Sequence, residues 1–201
     1  RNIRDFFSDH WYLLYAPMMR TFYCLLALLS IVSCAPCIKK WSKTDLTFSI
    51  DNKRSGMTDS DTRKAIHAAF DVWSAVTPFT FKEVPSGGDI QFLFASGDHG
   101  DKYPFDGRGD TENVLFHAFF PEIGAVHFDA DEQWTIHVDR ETDKPKEGQE
   151  DFLKAAIKSV GNALGLPSST TCEMYDFVPR GTLSEDAIDA IQWMYGPPKY
   201  R

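Results

Sequence analysis

Carboxylates, imidazoles and thiols are the groups in this chain able to do chemistry, and carboxylates dominate. Against 21 Lys and Arg stand 29 Asp and Glu, a formal charge of -8. That balance argues against a nucleic-acid partner, because phosphate binding needs a Lys/Arg surplus on some face. It suits sites for hard cations, which take clustered oxygen ligands. Six histidines are present, and none follows His137. Of four cysteines, Cys24 and Cys34 fall in an apolar N-terminal stretch. Cys37 and Cys172 remain, either paired in an oxidising compartment or present as two free thiols. Lys158, Ser159 and Asn162 interrupt an otherwise apolar helical pattern, and by themselves read as the polar face of a core helix.

The elements that must position these groups begin after Lys39-Lys40. Before them, Met18 or Met19 is followed by Arg20, an apolar run from Phe22 to Val32, and the small residues Ser33 and Ala35. That order is a secretory signal peptide over 18–35, with a run shorter than the ~20 residues of a membrane span. Residues 1–17 are an upstream extension of doubtful origin. Alternation predicts strands at Asp45–Ile50, Phe79–Val84, Asp89–Ala95, Val114–Phe120, Ala125–Phe128 and Trp134–Val138, with a Gly87-Gly88 turn between the second and third. Helical spacing predicts helices from Thr58 or Ser60 to about Ala75, over 150–164, and from Ser184 to a stop at Pro197-Pro198. The 43% hydrophobic content is that of a globular chain. The order of elements is α+β.

Six strings carry a resemblance. They are KWSKT from Lys40, VWSAVTP from Val72, HGDKYPFDG from His99, HAFFP from His117, HFDADEQW from His127 and LSEDAIDAIQWMYGPP from Leu183. In that order they resemble the catalytic domain of a matrix metalloproteinase over residues 40–198. The resemblance implies a twisted, mostly parallel five-stranded sheet with three helices. It also implies zinc endopeptidase chemistry from the pattern H-E-x-x-H-x-x-G-x-x-H followed by a methionine turn. In such a site three His hold zinc, and the Glu moves the proton of the metal-bound water.

The matching stretch here keeps the frame and loses the donors. Gly161, Ala163, Leu164, Gly165 and Leu166 agree with the pattern, and Met174 with the methionine turn. Lys158, Asn162 and Ser168 stand where His ligands belong, and Ser159 where the general base belongs. A Lys cation repels Zn²⁺, and Asn and Ser are poor zinc ligands beside imidazole. The expectation is a pseudoprotease without catalytic zinc, in which Asp176–Thr182 is short for a specificity-pocket wall.

The resemblance implies two further metal sites. The structural zinc of the family matches His99, Asp101, His117 and His127, a closed set of four donors. A calcium matches Asp106, Asp129 and Glu132, with carbonyls from Gly107 and Gly109. Asp110-Thr111-Glu112 is an insertion beside that calcium loop, and Ala125 stands where a second calcium site needs Asp. Only a few residues separate the signal region from Lys40, so no latency propeptide is expected; a C-terminal accessory domain is not expected either. The expected function is that of a secreted, extracellular binding or decoy protein for extended peptides, extracellular proteins or protease inhibitors. A matrix-degrading zinc endopeptidase is the alternative. No stable membrane anchor is expected.

Overall fold

The computed structural model describes residues 39–52, 56–109, 114–136, 145–167 and 182–199. Expectations for the signal region, the cysteines, the insertion at 110–112, Ser168 and Met174 lie outside those residues.

The first strand, β1 (Asp45–Ile50), buries Leu46, Phe48 and Ile50, as its alternation requires. Helix α1 (Asp59–Val76) follows, capped by Thr58, whose side chain accepts from the Asp61 N–H. Asp59 and Asp61 sit in its first turn, where carboxylates favour the positive end of the helix dipole. Strands β2 (Thr80–Glu83), β3 (Ile90–Ala95), β4 (Phe116–Ala118) and β5 (Ala125–Asp129) come next. With β1 they form one sheet in the order β2-β1-β3-β5-β4, parallel except for the β4–β5 pair. Helices α2 (Phe152–Ala163) and α3 (Glu185–Tyr195) complete the three helices of the described residues.

Three sequence expectations need correction. Gly87-Gly88 does not close a hairpin, because β2 and β3 both run parallel to β1 and lie on opposite sides of it. The chain crosses over β1 at Gly88, where a Cβ would come within 2.5 Å of the Phe48 carbonyl carbon. Only hydrogen fits between the two backbones there. Second, the 150–164 helix begins at Phe152. Glu150–Asp151 instead forms a short strand, β7, parallel to β6 (Trp134–Thr135). Asp151 then caps the helix, its carboxylate accepting from the Lys154 N–H at 3.1 Å. Third, the 114–120 strand shortens to Phe116–Ala118; of the expected 134–138 strand, Trp134–Thr135 is strand and residues 137–138 lie outside the described residues.

One sheet face is the core. Paired positions in a parallel ladder share a face, so Ile90, Phe92 and Phe94 of β3 lie with Val126 and Phe128 of β5. All five are buried, Phe70 of α1 stacks on Phe48 at 4.3 Å, and Phe152 of α2 lies 5.0 Å from Phe128. His127 sits between Val126 and Phe128, so its side chain leaves the opposite face. His117, its antiparallel partner, leaves the same side.

Candidate metal centres and the degenerate helix

Strand alternation supplies half of the first centre, and a loop supplies the rest. His117 and His127 face each other across the β4–β5 pair, and the loop after β3 brings His99 and Asp101 over them. Asp101 Oδ2 lies 2.9 Å from His99 Nε2, 2.6 Å from His117 Nε2 and 2.7 Å from His127 Nδ1. His117 Nε2 lies 3.3 Å from His99 Nε2 and 3.1 Å from His127 Nδ1. Ligands ~2.0 Å from a tetrahedral ion are about 3.3 Å apart, so four donor atoms at these spacings can surround one ion. Among the described residues this is the one group of three or more His, Cys, Asp or Glu donors gathered to metal-binding spacing.

The surroundings prepare those donors. His99 Nδ1 lies 2.8 Å from the Gly97 carbonyl, which accepts its proton and leaves Nε2 as the inward lone pair. Burial lowers the His117 pKa, and this outweighs the carboxylate of Asp101 beside it and favours the neutral form of the ring. Burial would raise Asp101, but the Tyr103 N–H and the His117 and His127 rings overcome it and hold the carboxylate well below its usual range. Phe105 stacks on His99 and His117 at 4.9 and 4.8 Å, and Phe119 meets His117 edge-on. His117 Nδ1 is buried without a hydrogen-bond partner among the described residues.

The second acidic group is looser. Asp129 is wholly buried and Glu132 is 6% exposed. Asp129 accepts from the Gly107 and Asp131 N–H groups at 3.2 and 2.8 Å, and Asp106 Oδ1 from the Val114 N–H at 3.1 Å. Asp106 Oδ2 and Glu132 Oε1 are buried with no hydrogen-bond partner among the described residues. Burial raises Asp129 and Glu132. Glu132 is pushed up further by Asp129, Glu150 and Asp106. Buried carboxylates that repel one another and leave oxygens unpaired are the donor set a hard cation neutralises. Their oxygens do not gather as tightly as the first four donors. Glu150, absent from the sequence-based set, reaches the cluster through the β6–β7 pairing, which periodicity did not reveal.

Helix α2 carries the degenerate positions. Its end is a Schellman motif: Leu166 N–H bonds to Gly161 O at 3.0 Å and Gly165 N–H to Asn162 O at 2.9 Å. Gly165 has φ +107°, and a Cβ there would sit 2.3 Å from the Lys39 carbonyl oxygen. At Gly161 a Cβ would fall 2.6 Å from Trp73 Cζ2, and Trp73 Nε1 donates to Ile157 O at 2.8 Å. These contacts fix the rotation of α2 about its axis. Lys158 and Asn162 then lie one turn apart on one face. Ser159 is wholly buried and its hydroxyl donates to Ala156 O at 2.9 Å, within its own helix.

Sequence comparison places these features. Residues 40–196 match the matrixin peptidase family. The chain is 39% identical over 178 residues to matrix metalloproteinase-16 of Homo sapiens, covering 80% of this chain and 28% of that protein. It is 41% identical over 171 residues to matrix metalloproteinase-C of Caenorhabditis elegans, covering 78% and 29%. With interstitial collagenase of Bos taurus it shares 39% over 166 residues, covering 78% and 33%. The chain thus spans no more than a third of these relatives' length. With the five-stranded sheet, the three helices and the intact helix-end frame, this match establishes that the chain belongs to the matrixin family.

Proposed function

We propose that this chain is a secreted, catalytically inactive matrixin: a metal-stapled domain that binds extended peptides or protease inhibitors and does not cleave them. The observation that carries the reading is the rigid frame of α2 with the wrong side chains in it. Trp73 packed on Gly161 and the Schellman turn at Gly165 leave no slack to realign the helix. Lys158, Ser159 and Asn162 therefore occupy the positions where the family pattern has His, Glu and His. Peptide hydrolysis at such a site needs a Lewis acid for the scissile carbonyl and a base for the attacking water. Lysine brings a positive charge to a ligand position, and Ser159 is spent on a backbone carbonyl. Family membership and relatives named as metalloproteinases and a collagenase favour the alternative, a zinc endopeptidase of matrix proteins.

The retained metals are structural in this reading. His99, Asp101, His117 and His127 would hold zinc, which cross-links the loop after β3 to the β4–β5 pair. Asp106, Asp129 and Glu132, with Gly107 and Gly109 on the same loop, would hold calcium and neutralise the buried acidic cluster. Binding would use β4, an edge strand. Leu115, His117 and Phe119 turn their backbone groups toward β5, so those of Phe116 and Ala118 face outward for strand addition. Secretion rests on the signal-like order of residues 18–35. No helix among the described residues is long and apolar enough to cross a membrane.

The test is metal analysis joined to an activity assay on the purified chain. One tightly held zinc per chain and no hydrolysis of gelatin, with or without added zinc, are expected. Restoring Lys158→His, Asn162→His and Ser168→His should add a second zinc without turnover until Ser159→Glu is included. Two zincs per unmodified chain, or chelator-sensitive cleavage by a preparation free of other proteases, would establish the endopeptidase instead.

A further inference from the structure

Four large hydrophobic side chains are exposed among the described residues: Tyr103, Phe120, Ile123 and Trp193. The first three border the metal centre and the β4 edge. Trp193 is apart from them, on the outer face of α3, and at 76% it is the most exposed of the four. Along a helix of 3.6 residues per turn, Asp186, Asp189 and Trp193 form one stripe. All three are exposed, while Ala187 and Ile191 on the opposite side are buried. Neither aspartate forms an ion pair among the described residues. Asp186 lies in the first turn, where the helix dipole explains a carboxylate. Asp189 lies beyond it, where the dipole does not.

We infer that this stripe is a docking surface for a Lys/Arg-bearing segment of a partner protein. An indole face attracts a guanidinium or ammonium, and a carboxylate one turn away accepts its N–H groups. Four residues of helix rise put Asp189 about 6 Å along the axis from Trp193, within the span of one guanidinium. Asp186, about 10 Å away, would take a second cation. The carboxylates also choose the class of partner, since nucleic acid and anionic membranes carry the same sign of charge. Exposed Trp is among the residues most enriched at the energetic centre of protein interfaces. This surface does not depend on whether α2 is catalytic.

The experiment uses the whole chain and a fluorescein-labelled nonapeptide carrying three arginines separated by glycine and serine. Binding is read by anisotropy. Trp193→Ala and, separately, Asp186→Asn with Asp189→Asn should each weaken binding by about five- to tenfold, the range a cation–π contact supplies. Asp71→Asn with Glu147→Gln removes the same charge from exposed sites elsewhere and should change affinity less than about twofold. Trp41, Trp73 and Trp134 are buried and Trp11 lies outside the described residues, so the difference in acrylamide quenching between the whole chain and Trp193→Ala isolates Trp193, which should be quenched efficiently. Three results would overturn the inference. They are wild-type affinity in Trp193→Ala, an equal loss in the charge-matched control, or Trp193 shielded from quencher by the chain itself or a second copy.

Discussion

Asp101 Oδ2 makes close contacts to three imidazole nitrogens, and the aromatic rings of Phe105 and Phe119 close around them. Removing one imidazole should therefore be felt far more than changing a partly exposed residue on α2. His117→Ala is expected to lower the thermal midpoint by about 6 °C or more, what ~3 kcal/mol gives at this length. Lys158→Ala should shift it by less than about 1 °C. Differential scanning calorimetry of the zinc-loaded protein decides it, and equal shifts would mean that the occupied site is misassigned. Tyr195 provides a second residue-scale test. Its hydroxyl accepts from the Trp41 N–H at 2.9 Å and donates to Leu164 O at 2.6 Å. Burial pushes its pKa from 10.0 up to about 12. A raised pKa means the stabilisation is complete below about pH 10 and is lost as pH climbs toward the folded value. Tyr195→Phe should cost about 1 kcal/mol near neutral pH. Its deficit should shrink between pH 10 and pH 12 in urea denaturation curves. A pH-independent difference would show that the hydroxyl does not ionise in that window.

At the scale of elements, the α1–α2 crossing sets the geometry of the degenerate helix. Trp73 is wholly buried, donates to Ile157 O, and fills the space where a side chain on residue 161 would begin. Gly161→Ala should destabilise the domain by about 1–3 kcal/mol through overpacking against a ring that has nowhere to move. Denaturant titration checks this, and a neutral result would mean that α2 can shift on α1. Such freedom would weaken the argument that Lys158 and Asn162 are locked in place. The last turn of α2 is also held from outside. Trp41 Nε1 donates to Ala163 O at 2.9 Å and Tyr195 to Leu164 O, satisfying carbonyls that a helix end leaves open.

For the whole molecule, zinc on the four donors would make metal binding and folding one equilibrium. If one ion ties the loop from His99 to Asp101 to β4 and β5, a chelator of high zinc affinity removes that tie. Chelation should increase hydrogen exchange around residues 97–109 and 114–129 while α1, packed on Phe48, stays protected. Uniform protection in both states would argue that the four donors hold themselves without metal.

Much of this domain is legible in its sequence. Five strands and three helices fell near their places because alternation and 3.6-residue spacing follow from which faces must be dry. The degenerate α2 positions could be read in line because the pattern lies within about one helix and its cap. The β2-β1-β3 crossover could not be read, since Gly87-Gly88 marks a change of direction without saying which strand lies beneath it. Nor could the inclusion of Glu150 in the acidic cluster, or the exposure of Trp193, which lies between Ile191 and Tyr195 in an apolar run. Sequence determined which side chains were available and how they alternate. Tertiary structure decided which of them meet, because burial and close approach depend on segments that are distant along the chain.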